Sequence, residues 1–347
     1  YTKSIAIMKP SYITFLNFML LIFLTLCYLT NASQDDPIIL NRYQNWVQKY
    51  RRKYQNEAEW NMRFGIYQSN VQFIDFFNSL NLSYSLTDNA FADMTNREFN
   101  SIYLGYEKPE QEDINNVMSY DISKLPVGVD WRKNGVVTPV KDQKSCGSCW
   151  AFSAVAAIEG INKIKTGKLV SLSEQQLMDC DVYSDNQGCK GGFMESAFDY
   201  IMENGGITTS KNYPYIGKEQ KCNTKNAKQH EVTISNYEKV PPNEESLQVA
   251  INKQPISVAI DASGYNFQLY SAGIFSGYCG NSLNHAVTLI GYDVEENNGE
   301  KYWIVKNSWG TMWGESGYMK IKRGSSDNGG MCGIVMQASY PLMEEEN

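Results

Sequence analysis

The sequence predicts an α+β protein: a helix-rich half, then a strand-rich half, preceded by a separate helical segment. Three observations carry this expectation. The run from Cys149 to Ile164 is apolar on nearly every face, as in a helix buried within a core. From about residue 230 the hydrophobic period shifts to two. Composition changes at Leu125: glycine and aromatic residues become frequent, and every cysteine except Cys27 lies beyond it. Helices followed by strands make two halves, and a cleft between such halves is a usual ligand site.

A chain of 347 residues can bury one large or two modest cores. With 42% hydrophobic and 20% charged residues it reads as folded, not disordered. A net charge of -7 and a pI near 5.1 argue against a nucleic-acid binder, which carries a basic face.

Taken in order, Met8-Lys9, the apolar stretch Phe15 to Leu29 and the small residues Ala32 and Ser33 read as a secretory signal over 1–32. Residues 1–7 precede the first methionine and are given no role. The rival reading, a membrane anchor, wants a longer span and a stop-transfer pattern, so no membrane attachment is expected in the mature form. Secretion permits disulfides. Removing Cys27 with the signal leaves seven cysteines, an odd number, and so one unpaired thiol.

Residues 35 to 120 are polar, helical in pattern and free of cysteine. Leu40 to Tyr54 places Tyr43, Trp46, Val47 and Tyr50 at helical spacing. A longer helix is expected from Glu57 to Leu80. Its Glu59, Arg63, Tyr67, Asn70, Ile74 and Asn78 share one stripe, which an ordinary amphipathic helix would also show. Asn89 to Asp93 reads as a strand or turn. Tyr106 to Ser123, acidic and containing Pro109, reads as an exposed connector open to proteolysis. Sequons stand at Asn31 and Asn81.

Beyond the buried helix, Ser171 to Asp179 reads as a second helix capped by Ser171 or Ser173. Paired glycines bracket a third, Met194 to Asn204. Strands are expected around Ile256 to Ile260, Ala286 to Tyr292, Lys301 to Asn307 and Gly317 to Arg323.

Chemistry concentrates at Gln143-Lys144-Ser145-Cys146-Gly147-Ser148-Cys149-Trp150. A nucleophilic cysteine needs a lowered pKa, a base and donors for an oxyanion. A helix starting at Cys149 favours thiolate through its positive N-terminal end. The chain has two histidines. His230 lies in a lysine-rich polar stretch. His285 lies where a loop enters an apolar strand, and is the better base despite the commoner structural role of such histidines. Asn307, after the strand Tyr302 to Lys306, can orient the imidazole, with Trp309 shielding the contact. Gln143 and the Cys149 N–H can meet an oxyanion.

Cys-Gly-Ser-Cys-Trp, with histidine and asparagine far downstream, resembles the papain family of cysteine proteases. The likeness runs from about residue 40 to 342. Val129-Asp130-Trp131-Arg132 resembles the family's mature start, and Asn307-Ser308-Trp309-Gly310 with Trp313-Gly314 its asparagine block and primed-side wall. The stripe Glu59 to Asn78 resembles the inhibitory propeptide motif of the plant and cathepsin-L-like branch. Asn89, Phe91 and Asp93 resemble a second propeptide motif, with Thr87 where that motif has glycine.

The resemblance implies the papain-like two-lobed fold: a helical lobe over about 125–235 around a central buried helix, and an antiparallel, barrel-like β lobe over about 236–347. It makes 33–124 an inhibitory propeptide and 125–347 the peptidase. It implies catalytic Cys149, His285, Asn307 and Gln143, and bridges Cys146–Cys189, Cys180–Cys222 and Cys279–Cys332. Gly191 and Gly192 would line the substrate backbone. Phe193, Met194, Ala259, Leu283 and Ala286, closed by Gln337 or Met336, would form an apolar pocket for the residue two before the scissile bond. Asn284 stands where some relatives carry aspartate.

The implied activity is peptide hydrolysis through a thioester, without metal or cofactor. The expected partners are peptide and protein substrates, the chain's own propeptide and cystatin-like inhibitors, with a monomeric enzyme. The propeptide loosens at acidic pH in the family, which suggests a vacuole, lysosome or extracellular fluid. Two rival readings remain. Cys146 and Cys149 as a redox or zinc C-x-x-C pair lacks a second close pair and an early βαβ pattern. A non-catalytic storage or binding protein on the same fold would more usually lack the cysteine or the histidine.

Overall fold

A computed structural model describes residues 37–106, 122–182 and 184–344. The signal stretch, the sequon at Asn31, Cys27 and most of the connector after Tyr106 lie outside the described residues. The chain divides into two compact units, residues 1–64 and 65–347.

In the first unit, α1 (Pro37–Lys49) and the start of α2 (Glu57–Ser79) pack through aromatic rings. Tyr43 lies 5.9 Å from Trp46, 5.2 Å from Trp60 and 5.2 Å from Phe64, centroid to centroid. α1 ends earlier than the expected Tyr54, because Arg51 takes a left-handed φ of 51°. α2 starts on reciprocal bonds: Glu59 N–H to Asn56 Oδ1, and Gln55 N–H to the Glu59 carboxylate.

In the second unit, the polar stripe of α2 has a structural use. Asn70 Nδ2 donates to the carbonyls of Ala92 and Met94, Asn78 brackets the Leu86 backbone from both sides, and Tyr67 donates to Asp88. These bonds fasten the short strand β1 (Tyr84–Leu86) and the turn 88–94, so residues 89–93 form a turn and not a strand. Thr87 needs no glycine there: its N–H pairs with Leu269 O at 2.9 Å and its φ is negative. A capping box, Thr95 with Glu98, then starts α3 (Asn96–Tyr103).

The central helix is α4 (Cys149–Thr166), buried from Cys149 through Gly160 with few breaks and closed by Gly167 at φ 75°. Around it stand α5 (Glu174–Cys180), capped by Ser173, and α6 (Met194–Asn204), closed by left-handed Gly205. A one-turn α7 (Thr224–Ala227) follows. The sheet strands are β2 (Val129–Asp130), β3 (Asn236–Lys239), β4 (Ile256–Ile260), β5 (Tyr270–Phe275), β6 (His285–Val294), β7 (Lys301–Lys306), β8 (Tyr318–Lys322) and β9 (Ala338–Leu342). Among the described residues the order is β1-β5-β8-β7-β6-β4-β9-β3, with β2 on β6. The pairs are antiparallel except β5 with β8.

Two features depart from a clean helices-then-strands division. β2, near the start of the helical half, crosses to the sheet and pairs Val129 with Tyr292 and Asp130 with Gly291. The approach requires glycine: a Cβ on Gly291 would stand 2.0 Å from Val129 O. And β4 is buried at every residue, because α4 covers one of its faces.

Candidate active site

Cys149 opens α4 and is fully buried. Among the described residues it is the free cysteine, since Cys146 is joined to Cys189, Cys180 to Cys222 and Cys279 to Cys332. The Cys146 bridge fixes the loop before α4. The backbone N–H groups of Ala286, Gly105 and Trp150 point at the Cys149 sulfur.

His285 is the first residue of β6 and is fully buried. Its Nε2 lies 2.8 Å from Asn307 Oδ1, the residue just after β7. Ser308 N–H donates to the same oxygen at 2.8 Å, which fixes the amide with its oxygen toward the ring. An amide oxygen only accepts, so Nε2 carries the hydrogen, and among the described residues Nδ1 has no hydrogen-bond partner. Trp309 stacks on the imidazole at 4.4 Å and 25°. Trp313, fully buried behind it, meets Trp309 edge-on at 4.9 Å. His230, by contrast, sits exposed beside Asn204 and the glycines after α6, remote from these groups in the fold.

Gln143 is fully buried and held at both ends. Ser308 Oγ donates to its Oε1 at 2.6 Å, and Tyr215 Oη donates to its backbone carbonyl at 2.6 Å. This leaves Nε2 to donate to Cys146 O at 2.8 Å and to Tyr103 O at 3.0 Å.

The Tyr103 contact belongs to a passage the sequence did not reveal. Residues 103–106 run past the sulfur. Gly192 N–H donates to Gly105 O at 3.0 Å, Tyr106 N–H donates to Asn284 O at 3.0 Å, and Tyr106 pairs with Gly192 in a parallel bridge. Gly105 is indispensable to this fit, because a Cβ there would lie 1.9 Å from Gly147 O. Its sequence signal is faint: a glycine just past an amphipathic helix. Tyr106, read from sequence as the start of an exposed connector, is instead buried.

The apolar residues expected around the cleft do come together. Met194, Ala259, Leu283 and Ala286 belong to one buried cluster with Tyr106, and Phe193 and Met336 pack against it. Met336 therefore closes this side by apolar packing, while Gln337 enters through its backbone carbonyl, which accepts from Ala259 N–H. Gly191 and Gly192 lie alongside, and Asn186 holds their turn by accepting from Phe193 N–H at 2.6 Å. Asn284 turns its amide to Asp261, Ser282 and Ala262, so it braces a loop.

Burial dominates the electrostatics. It pushes the Cys149 thiol up to about 11, with the surrounding N–H groups opposing it. It lowers His285 to about 4, with the Asn307 bond opposing. The N–H groups at the start of α4, expected to favour thiolate, act in that direction, but burial outweighs them.

A profile described as papain family cysteine protease matches residues 125–342. This chain belongs to the papain family. Residues 43–99 match the cathepsin propeptide inhibitor domain. The chain is 51% identical over 328 residues to a probable cysteine protease RD21B of Arabidopsis thaliana, covering 92% of this chain and 70% of that protein. It is 47% identical over 336 residues to the senescence-specific cysteine protease SAG12 of the same plant, covering 93% and 96%. Among solved structures, a recombinant stem bromelain precursor aligns with a TM-score of 0.82 at 46% identity, covering 89% of this chain and all of that one. The ragweed allergen Amb a 11 in its proform aligns at 0.81 and 40%, covering 90% and 97%. The protein is thus a papain-family cysteine protease made as a proform; residues 65–99 fall within the matched propeptide domain, and residues 103–106 pass the Cys149 sulfur.

Proposed function

We propose that this protease is an endopeptidase zymogen that cleaves peptide bonds through a thioester on Cys149, with residues 33–124 as the inhibitory segment and 125–347 as the peptidase. Cys149 is the nucleophile and His285 the base and acid. Asn307 orients the ring, and Gln143 with the Cys149 N–H meets the oxyanion. The observation that carries this reading is the His285 Nε2–Asn307 Oδ1 bond, which leaves Nδ1 unpartnered while the next residue, Ala286, presents its N–H to the sulfur.

His285 Nδ1 takes the thiol proton, and the thiolate attacks the scissile carbonyl carbon. The oxygen gains charge and receives Gln143 Nε2–H and the Cys149 N–H. The imidazolium protonates the leaving nitrogen as the C–N bond breaks. Water, deprotonated by the same ring, then attacks the thioester and expels the thiolate. Silence of the zymogen follows from what faces the sulfur in the covered form. It meets the Gly105 N–H and not a carbonyl carbon, while Gln143 Nε2 is already engaged by Tyr103 O.

The clustering of Phe193, Met194, Ala259, Leu283, Ala286 and Met336 around Tyr106 supports a preference for a hydrophobic or aromatic side chain two residues before the scissile bond. Three disulfides support passage through the secretory pathway, to a vacuole, lysosome or the extracellular fluid. The open cleft would also take cystatin-like inhibitors. The deciding experiment is Cys149→Ala in the acid-processed enzyme. Hydrolysis of peptide substrates should vanish, and its survival would remove Cys149 from the mechanism. Equal cleavage of peptides with Arg, Leu or Phe at the pocket position would remove the specificity.

A further inference from the structure

We propose that Asp181 and Asn186 are positioning residues for the peptide-binding strand: the Asp181 carboxylate fixes the Asn186 amide, and that amide holds Gly192 and Phe193 where a bound peptide needs them. The inference rests on the reading of Gly191 and Gly192 as the lining of the substrate backbone.

Both polar side chains are buried, Asp181 to 3% exposure and Asn186 to 4%. Asn186 Nδ2 donates to Asp181 Oδ2 at 2.5 Å, and Asn186 Oδ1 accepts from Phe193 N–H at 2.6 Å. Ser184 ties the same turn: its Oγ donates to Asp181 Oδ1 at 2.6 Å and accepts from Asn186 N–H at 3.1 Å. The amide also packs against Gly192, where a Cβ would stand 2.2 Å from Asn186 Oδ1. Gly192 in turn holds the chain that lies in the cleft, its N–H donating to Gly105 O at 3.0 Å. Two short bonds thus connect a buried carboxylate to the strand that grips the cleft's occupant.

An amide can meet Phe193 N–H with either end, and only the oxygen accepts. A carboxylate on its other side accepts and cannot donate, so it selects the orientation with nitrogen toward Asp181 and oxygen toward Phe193. A flipped amide would set donor against donor at Phe193 and acceptor against acceptor at Asp181. The charge on Asp181 is what enforces the choice.

That charge can be lost. Asp181 lines a recess of about 790 Å³ together with Asp185 of its own loop, Asp199, Tyr200 and Glu203 of α6, and Lys228 after α7. Burial raises Asp181 to about 6, Glu203 and Asp199 add to this, and the bonds from Ser184 and Asn186 oppose it. Because the Asn186 bond lowers the pKa, release of that bond raises it. The proton therefore competes with the ordered strand. Hold on a peptide is full above about pH 6 and weakens as pH falls below it. A protonated Asp181 offers Asn186 a neutral acceptor in place of a charged one, and hydrogen bonds to charged groups are roughly twice as strong.

The test uses the acid-processed enzyme and peptide substrates from pH 7 to 5. Wild-type KM should rise roughly fivefold over that range, the scale of one charge-assisted bond made neutral. Asp181→Asn keeps an acceptor for Asn186 but cannot ionise. Its KM should already stand at the raised value at pH 7 and stay flat to pH 5, with little change in kcat. Asn186→Ala should raise KM further, again without pH dependence. Asp199→Asn combined with Glu203→Gln, both outside the bonded chain, should move the midpoint of the KM rise to lower pH. A wild-type KM that is flat from pH 7 to 5 overturns the proposal. So does an Asp181→Asn enzyme with the wild-type KM profile, or a double variant whose midpoint stays or moves up. If Asp181→Asn does not fold, the wild-type profile and the double variant still decide it. Peptides N-methylated in turn at each backbone amide before the scissile bond separate the two readings. If no methylation raises KM, the lining role of Gly191 and Gly192 fails. If one does while Asp181→Asn keeps the wild-type profile, only the present inference falls.

Discussion

The propeptide holds the peptidase in two different ways. Over residues 84–103 it grips with a paired strand and with buried side chains. β1 extends the sheet along β5, Asn89 Nδ2 donates to Gln268 O at 2.8 Å, and buried Phe91 and Phe99 meet Trp309 edge-on at 5.8 and 5.0 Å. Over residues 103–106 it touches mainly with backbone, one carbonyl on Gln143, one N–H at the sulfur and single bonds to Gly192 and Asn284, and adds one buried side chain, Tyr106. Affinity and inhibition are thus kept apart. The grip is directed at a wall of the cleft, while the proposed block on chemistry is a thin strand that needs glycine at position 105. Trp309 joins the two, carrying the phenylalanines on its edges and His285 on its face.

The largest effect should come from breaking the grip. Phe99 is fully buried, and Phe99→Ala should cost roughly 3–5 kcal/mol of closed-state stability, on the order of a hundredfold or more in the open population. Alkylation of Cys149 in the signal-free proform at neutral pH reads this directly, because the other cysteines of that form are bridged. An unchanged alkylation rate would show that the cleft strand alone holds the propeptide.

Next comes pH, which acts on the cleft region. His285 in the covered form is lowered to about 4, from an ordinary 6.5. Between those values an open form binds a proton that the closed form excludes. Closed-state stability is therefore full above about 6.5 and is lost as pH falls toward 4, by at most about tenfold per pH unit. Tryptophan emission of a Cys149→Ala proform, followed from pH 7 to 4, should report opening over that window. A flat response would mean that His285 does not drive it.

These two regions were unequally legible in the sequence. The grip was half visible: the stripe of α2 and the Asn89–Phe91–Asp93 motif were there to read, although what the polar stripe fastens required the fold. Cys149, His285 and Asn307 stood out because histidine is scarce and the count of mature cysteines is odd. The cleft strand was invisible. Leu104-Gly105-Tyr106 carries no periodicity, and the need for glycine arises from Gly147, a residue 42 positions away in a loop set by a disulfide. The crossing of β2 was missed for the same reason. It depends on which distant backbone arrives alongside, and local pattern holds no record of that.

Gly105→Ala tests the strand itself. Its Cβ would meet Gly147 backbone at 1.9 Å, so the passage must shift. Overpacking of this kind costs roughly 1–3 kcal/mol. The signature that separates it from Phe99→Ala is location: Cys149 should become alkylable while the edge contacts on Trp309, and with them its emission, stay as in the parent proform. Loss of both together would mean that grip and strand are one cooperative unit.

The smallest effect has the opposite sign. Tyr106 is the one side chain the cleft strand buries, and among the described residues its hydroxyl has no hydrogen-bond partner. Burial holds the phenol well above its usual range, and Glu195, whose carboxylate oxygens are buried without hydrogen-bond partners among the described residues, adds to this electrostatically. The ring stabilises the closed form through the apolar cluster, while the oxygen opposes it. Tyr106→Phe keeps the ring and removes the unmet hydroxyl. It should tighten the proform by about 1 kcal/mol, roughly fivefold in the alkylation rate of Cys149. Tyr106→Ala should do the reverse and loosen it. If Tyr106→Phe instead speeds alkylation, the hydroxyl makes a bond that holds the strand, and the cleft region relies on a side chain as the grip does.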